Sequence, residues 1–121
     1  HSGVISADGS LYTFGKDALP AMAAGRLGHH GYQSPAAVRD DRMPPTRMTA
    51  LASTHVVCVS CGADHTAALC TRRCSVSGEE ESQVFVWGAL MEAGEGGFSK
   101  YTRPAEIQLD PEAKARQLAA G

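Results

Sequence analysis

Long hydrophobic runs are missing from this sequence of 121 residues. No stretch of about 18 apolar residues occurs, so no helical membrane span is expected. No charged start followed by an apolar core marks a secretory leader either. An excess of one charge is also missing: 11 Lys plus Arg stand against 13 Asp plus Glu, a formal net charge of −2. Such a chain has no basic field to gather nucleic acid or anionic lipid. Aromatic residues are few, with one Trp, three Tyr and three Phe, whereas 13 Gly and six Pro fall in short clusters. That punctuation favours many short strands over long helices. A hydrophobic share of 43% and a charged share of 20% suit one small folded domain.

The stretch from Val57 to Leu69 organises the rest. Val57 and Val59 alternate with Cys58 and Ser60, and Thr66, Ala67, Ala68 and Leu69 are small or branched enough for a pleated surface. Between them, Gly62-Ala63-Asp64 is turn chemistry, with Gly62 expected to accept positive φ and Asp64 to cap its own backbone. A second hairpin is expected at Ser6-Ala7-Asp8-Gly9-Ser10, where Asp-Gly suits a primed turn. It leads into the strand Leu11-Tyr12-Thr13-Phe14-Gly15. Residues 16–34 read as a loop, and Ser34-Pro35-Ala36-Ala37-Val38 as an edge strand opened by proline. The polar, proline-bearing stretch Arg39–Thr49 reads as a loop, and Met48–Ala52 as one helical turn. Thr71–Gln83 is an extended hairpin loop in this reading; Val84-Phe85-Val86-Trp87-Gly88 and Arg103-Pro104-Ala105-Glu106-Ile107 follow as strands, and Pro111–Gly121 contains a helix-friendly stretch.

Several of these pieces occur twice. Gly25 to Gly94, Gly28 to Gly97, Pro35 to Pro104 and Val38 to Ile107 are each 69 residues apart, Phe14-Gly15 to Trp87-Gly88 is 73, and His1 to His65 is 64. Ala119-Ala120-Gly121 echoes Ser60-Cys61-Gly62. Anchors that keep their order while the loops between them vary are the mark of stacked supersecondary units. The division is expected at about 1–62 and 63–121, with Gly15, Gly28, Pro35, Gly62, His65, Trp87, Gly88, Gly97 and Pro104 as structural anchors.

Chemistry-bearing clusters are weak by comparison. The glycine boxes Gly25–Gly31 and Gly94–Gly97 lack the Lys-Ser/Thr pair of a phosphate cradle. Cys61, Asp64 and His65 crowd one turn with no identifiable oxyanion donor, and His1 repeats His65. A recurring histidine points to fold rather than to a nucleophile–base pair, and its imidazole is expected to bond backbone groups in the turn. No catalytic residue, cofactor or metal is assigned. Cys58-x2-Cys61 with Cys70-x3-Cys74 has the count for a tetrahedral zinc site, while disulfide pairing and reduced core thiols are the other readings. Arg72 and Arg73 with Glu79, Glu80 and Glu81 form a charged loop tip, the one candidate for partner binding. Phe14 and Trp87 read as core rather than ligand-stacking residues.

The segments Leu11–Gly15, Gly25–His29, Ser34–Val38, Val57–Leu69 and Val84–Gly88 together closely resemble the repeat of the regulator of chromosome condensation family. The resemblance implies an all-β fold of antiparallel four-stranded propeller blades with long loops. Two units make only one to two blades, an incomplete propeller, so a piece of a larger protein is expected, or else an isolated blade pair that pairs with another chain. Two departures stand out: the repeat is long for the family, and Gly94-Glu95-Gly96-Gly97 lacks the apolar residue found at Leu27. The implied function is a non-enzymatic scaffold that binds protein partners through its loops, inside the cell in cytoplasm or nucleus. A second implied function is guanine-nucleotide exchange on a Ran-like small GTPase with chromatin association, and a zinc-binding module is the third reading.

Overall fold

The computed structural model describes residues 1–16, 28, 42–63, 65–73, 76, 78–91, 98–109, 115 and 117–119. The described residues form seven strands and one short 3-10 turn: β1 (Ser2–Ile5), β2 (Leu11–Lys16), β3 (Arg42–Arg47), the 3-10 turn Thr49–Leu51, β4 (His55–Cys61), β5 (His65–Arg73), β6 (Glu80–Met91) and β7 (Phe98–Ile107). Every pairing is antiparallel. Sheet 1 has the order β1-β2-β3 and sheet 2 the order β4-β5-β6-β7. The all-β expectation holds, and the arrangement is that of an incomplete propeller.

The repeat is written into the ladders. Ser2, Gly3, Val4 and Ile5 stand opposite Phe14, Thr13, Tyr12 and Leu11. Steps of 64 on one strand and 73 on the other turn these rungs into Thr66–Trp87, Ala67–Val86, Ala68–Phe85 and Leu69–Val84, all of which are present in sheet 2. Both outer ladders also slip at the same place, after Thr13 in sheet 1 and after Val86 in sheet 2. Gly15 and Gly88 follow those slips with φ of 102° and 96°. Positive φ at a bulge is where glycine costs least, which accounts for both anchors.

Three local expectations change. Arg42–Arg47 is a strand rather than a loop. It lies on the outer edge of sheet 1, and Pro44 and Pro45 occupy the stretch where its ladder with β2 is already interrupted. Edges and bulges are where strands tolerate proline. The rungs Tyr12–Arg47 and Thr13–Thr46 become Phe85–Glu106 and Val86–Ala105, so Pro104 corresponds to Pro45, at a step of 59. Pro35 and Val38, expected in that role, lie outside the described residues, as do Gly97, Asp64, the 17–27 and 29–34 parts of the first glycine loop, and most of Pro111–Gly121. Secondly, β5 and β6 run well into the stretch read as loop, with Arg73 opposite Glu80. Thirdly, Gly62 has no positive φ; a Cβ there would lie 2.6 Å from the His65 ring, so close approach is what requires glycine.

The Asp8-Gly9 turn forms with a different geometry from the primed one. The Gly9 N–H donates to the Ser6 carbonyl at 2.9 Å, and Gly9 itself takes φ 84°. A turn followed by a left-handed glycine is the three-residue hairpin class. The Asp8 carboxylate accepts from the Ser6 hydroxyl and from the Ser10 N–H. These bonds hold its pKa down at about 2.

The core lies between the sheets and joins Leu11 of sheet 1, Met48 and Leu51 of the 3-10 turn region, and Val56, Ala68, Cys70 and Trp87 of sheet 2. Two backbone bonds stitch the connection: the Met48 N–H donates to the Leu11 carbonyl at 2.8 Å, and the Val56 N–H to the Gly9 carbonyl at 2.9 Å. His1 Nε2 meets the Thr66 hydroxyl at 2.7 Å, so this histidine spans the sheets. Gly28 closes the core from above. A Cβ there would lie 2.6 Å from Met48 Cε and 2.8 Å from Trp87 Nε1, and φ is 78°. Replacing Gly28 by Ala combines left-handed strain with a clash into the core. We expect a loss of about 1–3 kcal/mol, read as a lowered urea midpoint. Asp8 supplies a pH test. Its carboxyl is depressed in the folded chain, so the contribution is full above the ordinary value of 3.8 and disappears as pH falls toward about 2. In Asp8→Asn that stretch of the acid-unfolding profile should flatten.

Candidate functional site

Among the described residues, one surface feature grows from the ladder between β5 and β6. Strand β4 begins at His55 opposite Thr71, and β7 ends at Ile107 opposite Val84. The rungs Arg72–Glu81 and Arg73–Glu80 lie beyond both neighbours. A two-stranded arm therefore projects from a four-stranded sheet. Four of the five residues expected to bind a partner sit on these two rungs, and the fifth, Glu79, directly precedes β6. The structure thus brings the five together, on a paired ribbon where a loop was expected.

Alternation dictates the charge pattern. Arg72 and Glu81 face each other across the ribbon, with Nη2 3.6 Å from Oε2 and side chains 54% and 48% exposed. Opposite charges on facing positions favour the register, but so exposed a pair contributes well under about 1 kcal/mol. At the tip Val76 is 94% exposed. Gly78 takes φ 69°, and nothing among the described residues beyond its chain neighbours lies within 4 Å of where its Cβ would be. An apolar residue at a tip flanked by both signs of charge is something sequence reading passed over, because Val76 stands alone among polar neighbours. At the root of the arm, Gln83 Nε2 donates to Glu106 Oε1 at 3.3 Å, while Gln83 Oε1 is buried without a hydrogen-bond partner.

Cys58, Cys61 and Cys70 are free thiols, Cys70 lies in the core, and Cys74 is outside the described residues. Among the described residues no group of three or more His, Cys, Asp and Glu is placed to hold a metal ion. Burial pushes the Cys61 and Cys70 thiols up from their ordinary value, which disfavours the reactive thiolate. No helix among the described residues is long and apolar enough to cross a membrane. Trp87 is fully buried, as expected of a core residue, and Phe14 is half-buried.

Two measurements follow from this geometry. Arg72→Ala should shift stability by less than about 1 kcal/mol, because the pair is solvated; chemical denaturation of the variant against the parent reads it directly. On native alkylation, Cys70 should be the slowest of the three described cysteines to react and should be labelled only once the fold opens, as peptide mass mapping over time will show.

The description regulator of chromosome condensation (RCC1) repeat matches residues 8–69. The ultraviolet-B receptor UVR8 of Arabidopsis thaliana is 34% identical over 97 residues, which cover 80% of this chain and 19% of the receptor. The chain accordingly spans about a fifth of the length of that curated relative. Ladders that repeat rung for rung, paired bulge glycines and the match across β2 to β5 have one meaning: the chain belongs to the regulator of chromosome condensation repeat family.

Proposed function

We infer that this chain is a non-catalytic protein-interaction segment of a β-propeller and that the β5–β6 arm is its contact element. The observation that carries the reading is the arm itself, a ribbon whose rungs Arg72–Glu81 and Arg73–Glu80 extend past both flanking strands. A ribbon held by its own ladder offers side chains at little ordering cost, which favours association. Arg72 and Arg73 on one strand with Glu79, Glu80 and Glu81 on or beside the other suit a partner of mixed charge, and Val76 supplies an apolar contact at the tip. Exposed charges of this sort set orientation and on-rate more than raw affinity. A reducing compartment, cytoplasm or nucleus, goes with this reading. Exchange on a Ran-like small GTPase draws no specific feature of the described residues to its side.

The test is to shorten the arm. Replacing residues 73–80 with a two-residue Asn-Gly turn keeps the sheet and removes the tip. Partner capture by the full-length parent should fall at least tenfold while the thermal midpoint stays within a few degrees. Capture unchanged in the shortened protein would remove the arm from the interface. A charge-reversal variant, Arg72→Glu with Arg73→Glu, should weaken capture more at low salt than at high salt, read by titration at two ionic strengths.

A further inference from the structure

At the foot of the arm one amide is left incomplete. Gln83 is 9% exposed, and its Oε1 is buried with no hydrogen-bond partner. The other end of the amide, Nε2, donates to Glu106 Oε1 at 3.3 Å, a long bond. A buried carbonyl without a donor is costly, and native folds seldom keep one without a use. Alternation puts Glu81, Gln83 and Phe85 on one face of β6, and Glu106, standing opposite Phe85, shares that face. Glu81 is already engaged by Arg72 across the ribbon at 3.6 Å. Glu106 is exposed and, among the described residues, has no cation beside it.

The first unit fills the same place from its own chain. Steps of 73 and 59 carry Ser10 to Gln83 and Arg47 to Glu106, as the rung Tyr12–Arg47 becomes Phe85–Glu106. In sheet 1 the position therefore carries a guanidinium. It acts on the Asp8 carboxylate, adding to the larger pull of the Ser6 and Ser10 hydrogen bonds. Sheet 2 keeps an acid, Glu81, and adds an amide oxygen, but places a second carboxylate where the guanidinium stood. The partly buried ring of Phe85 borders it. A planar cation with a fork of N–H donors suits all three groups at once, pairing with the carboxylate, reaching the carbonyl and lying against the ring.

We propose that Glu106, with Gln83 and Phe85, receives an arginine side chain of the protein partner at the foot of the arm. The inference rests on the reading of this chain as an interaction segment and adds the chemistry of what it takes. On entry the guanidinium neutralises Glu106. A turn of Gln83 about its last side-chain torsion then offers Oε1 to a donor. A lysine brings a point charge without the fork, so it serves the carboxylate and neglects the rest.

Side-chain amide NMR of the chain tests this, with N-acetyl-arginine amide as the probe and N-acetyl-lysine amide as its control. The Gln83 amide pair, assigned by its loss in Gln83→Met, should shift saturably with the arginine probe, which should bind at least about threefold more tightly than the lysine one. Glu106→Gln keeps an acceptor for the amide but removes the charge, and should weaken arginine binding at least about fivefold with the thermal midpoint unchanged. Glu106→Arg, which restores the arrangement of the first unit, should abolish it. No shift, equal affinity for the two probes, or binding that survives both substitutions overturns the proposal. Gln83 and Glu106 lie outside the stretch replaced in the arm-shortened protein, so the same titration there should give the same affinity. Arginine binding therefore stands or falls separately from the role of the arm in capture.

Discussion

Everything in this structure depends on burying one indole between two sheets. Trp87 is the largest fully buried side chain, and it sits on a strand of sheet 2 while Leu11, across the core, belongs to sheet 1. Gly28 must come within contact of the ring, and Met48 packs beside it. Gly28, a 3-10 turn and two sheets thus share one apolar volume. Removing water from a tryptophan of this size is among the larger contributions available to a small chain. It also fixes where Gly28 sits, because a gap over the ring forfeits contacts on one side.

The second organising fact is a difference of phase. The family match, residues 8–69, covers β2 and β3 of sheet 1 and β4 and β5 of sheet 2. One repeat in sequence is therefore split between two neighbouring sheets in space, β2 and β3 in one and β4 and β5 in the other. The bonds from Met48 to Leu11 and from Val56 to Gly9 lie inside that span, where the chain passes between sheets. An arrangement of this kind couples neighbours through the backbone as well as through the core. Stability then resides mainly at junctions between units, as in other repeat architectures.

Much of the fold was legible because glycine and periodicity speak locally. The alternation at Val57–Ser60, the Asp8-Gly9 turn and the Phe14-Gly15 and Trp87-Gly88 endings each announced a feature that the ladders confirm. What escaped was decided by neighbours. Pro44-Pro45 reads as a breaker until an adjacent strand supplies a bulge and an outer edge that accept it. The polar run after Cys70 reads as loop because no apolar period marks a solvated ribbon, whose pairing comes from the strands already joined below it. Gly62 illustrates a third case, in which a glycine chosen for torsional freedom turns out to clear space for the His65 ring. The charged candidates were found by composition. Their facing geometry needed the register.

The twin prolines of β3 have a consequence of their own. A row of unsatisfied donors at a sheet margin is a template on which further chains crystallise into cross-β fibres. Two adjacent imino acids delete donors on both sides of the strand, leaving an incoming chain nothing regular to copy. Sheet 1 is thereby terminated chemically on its β3 flank.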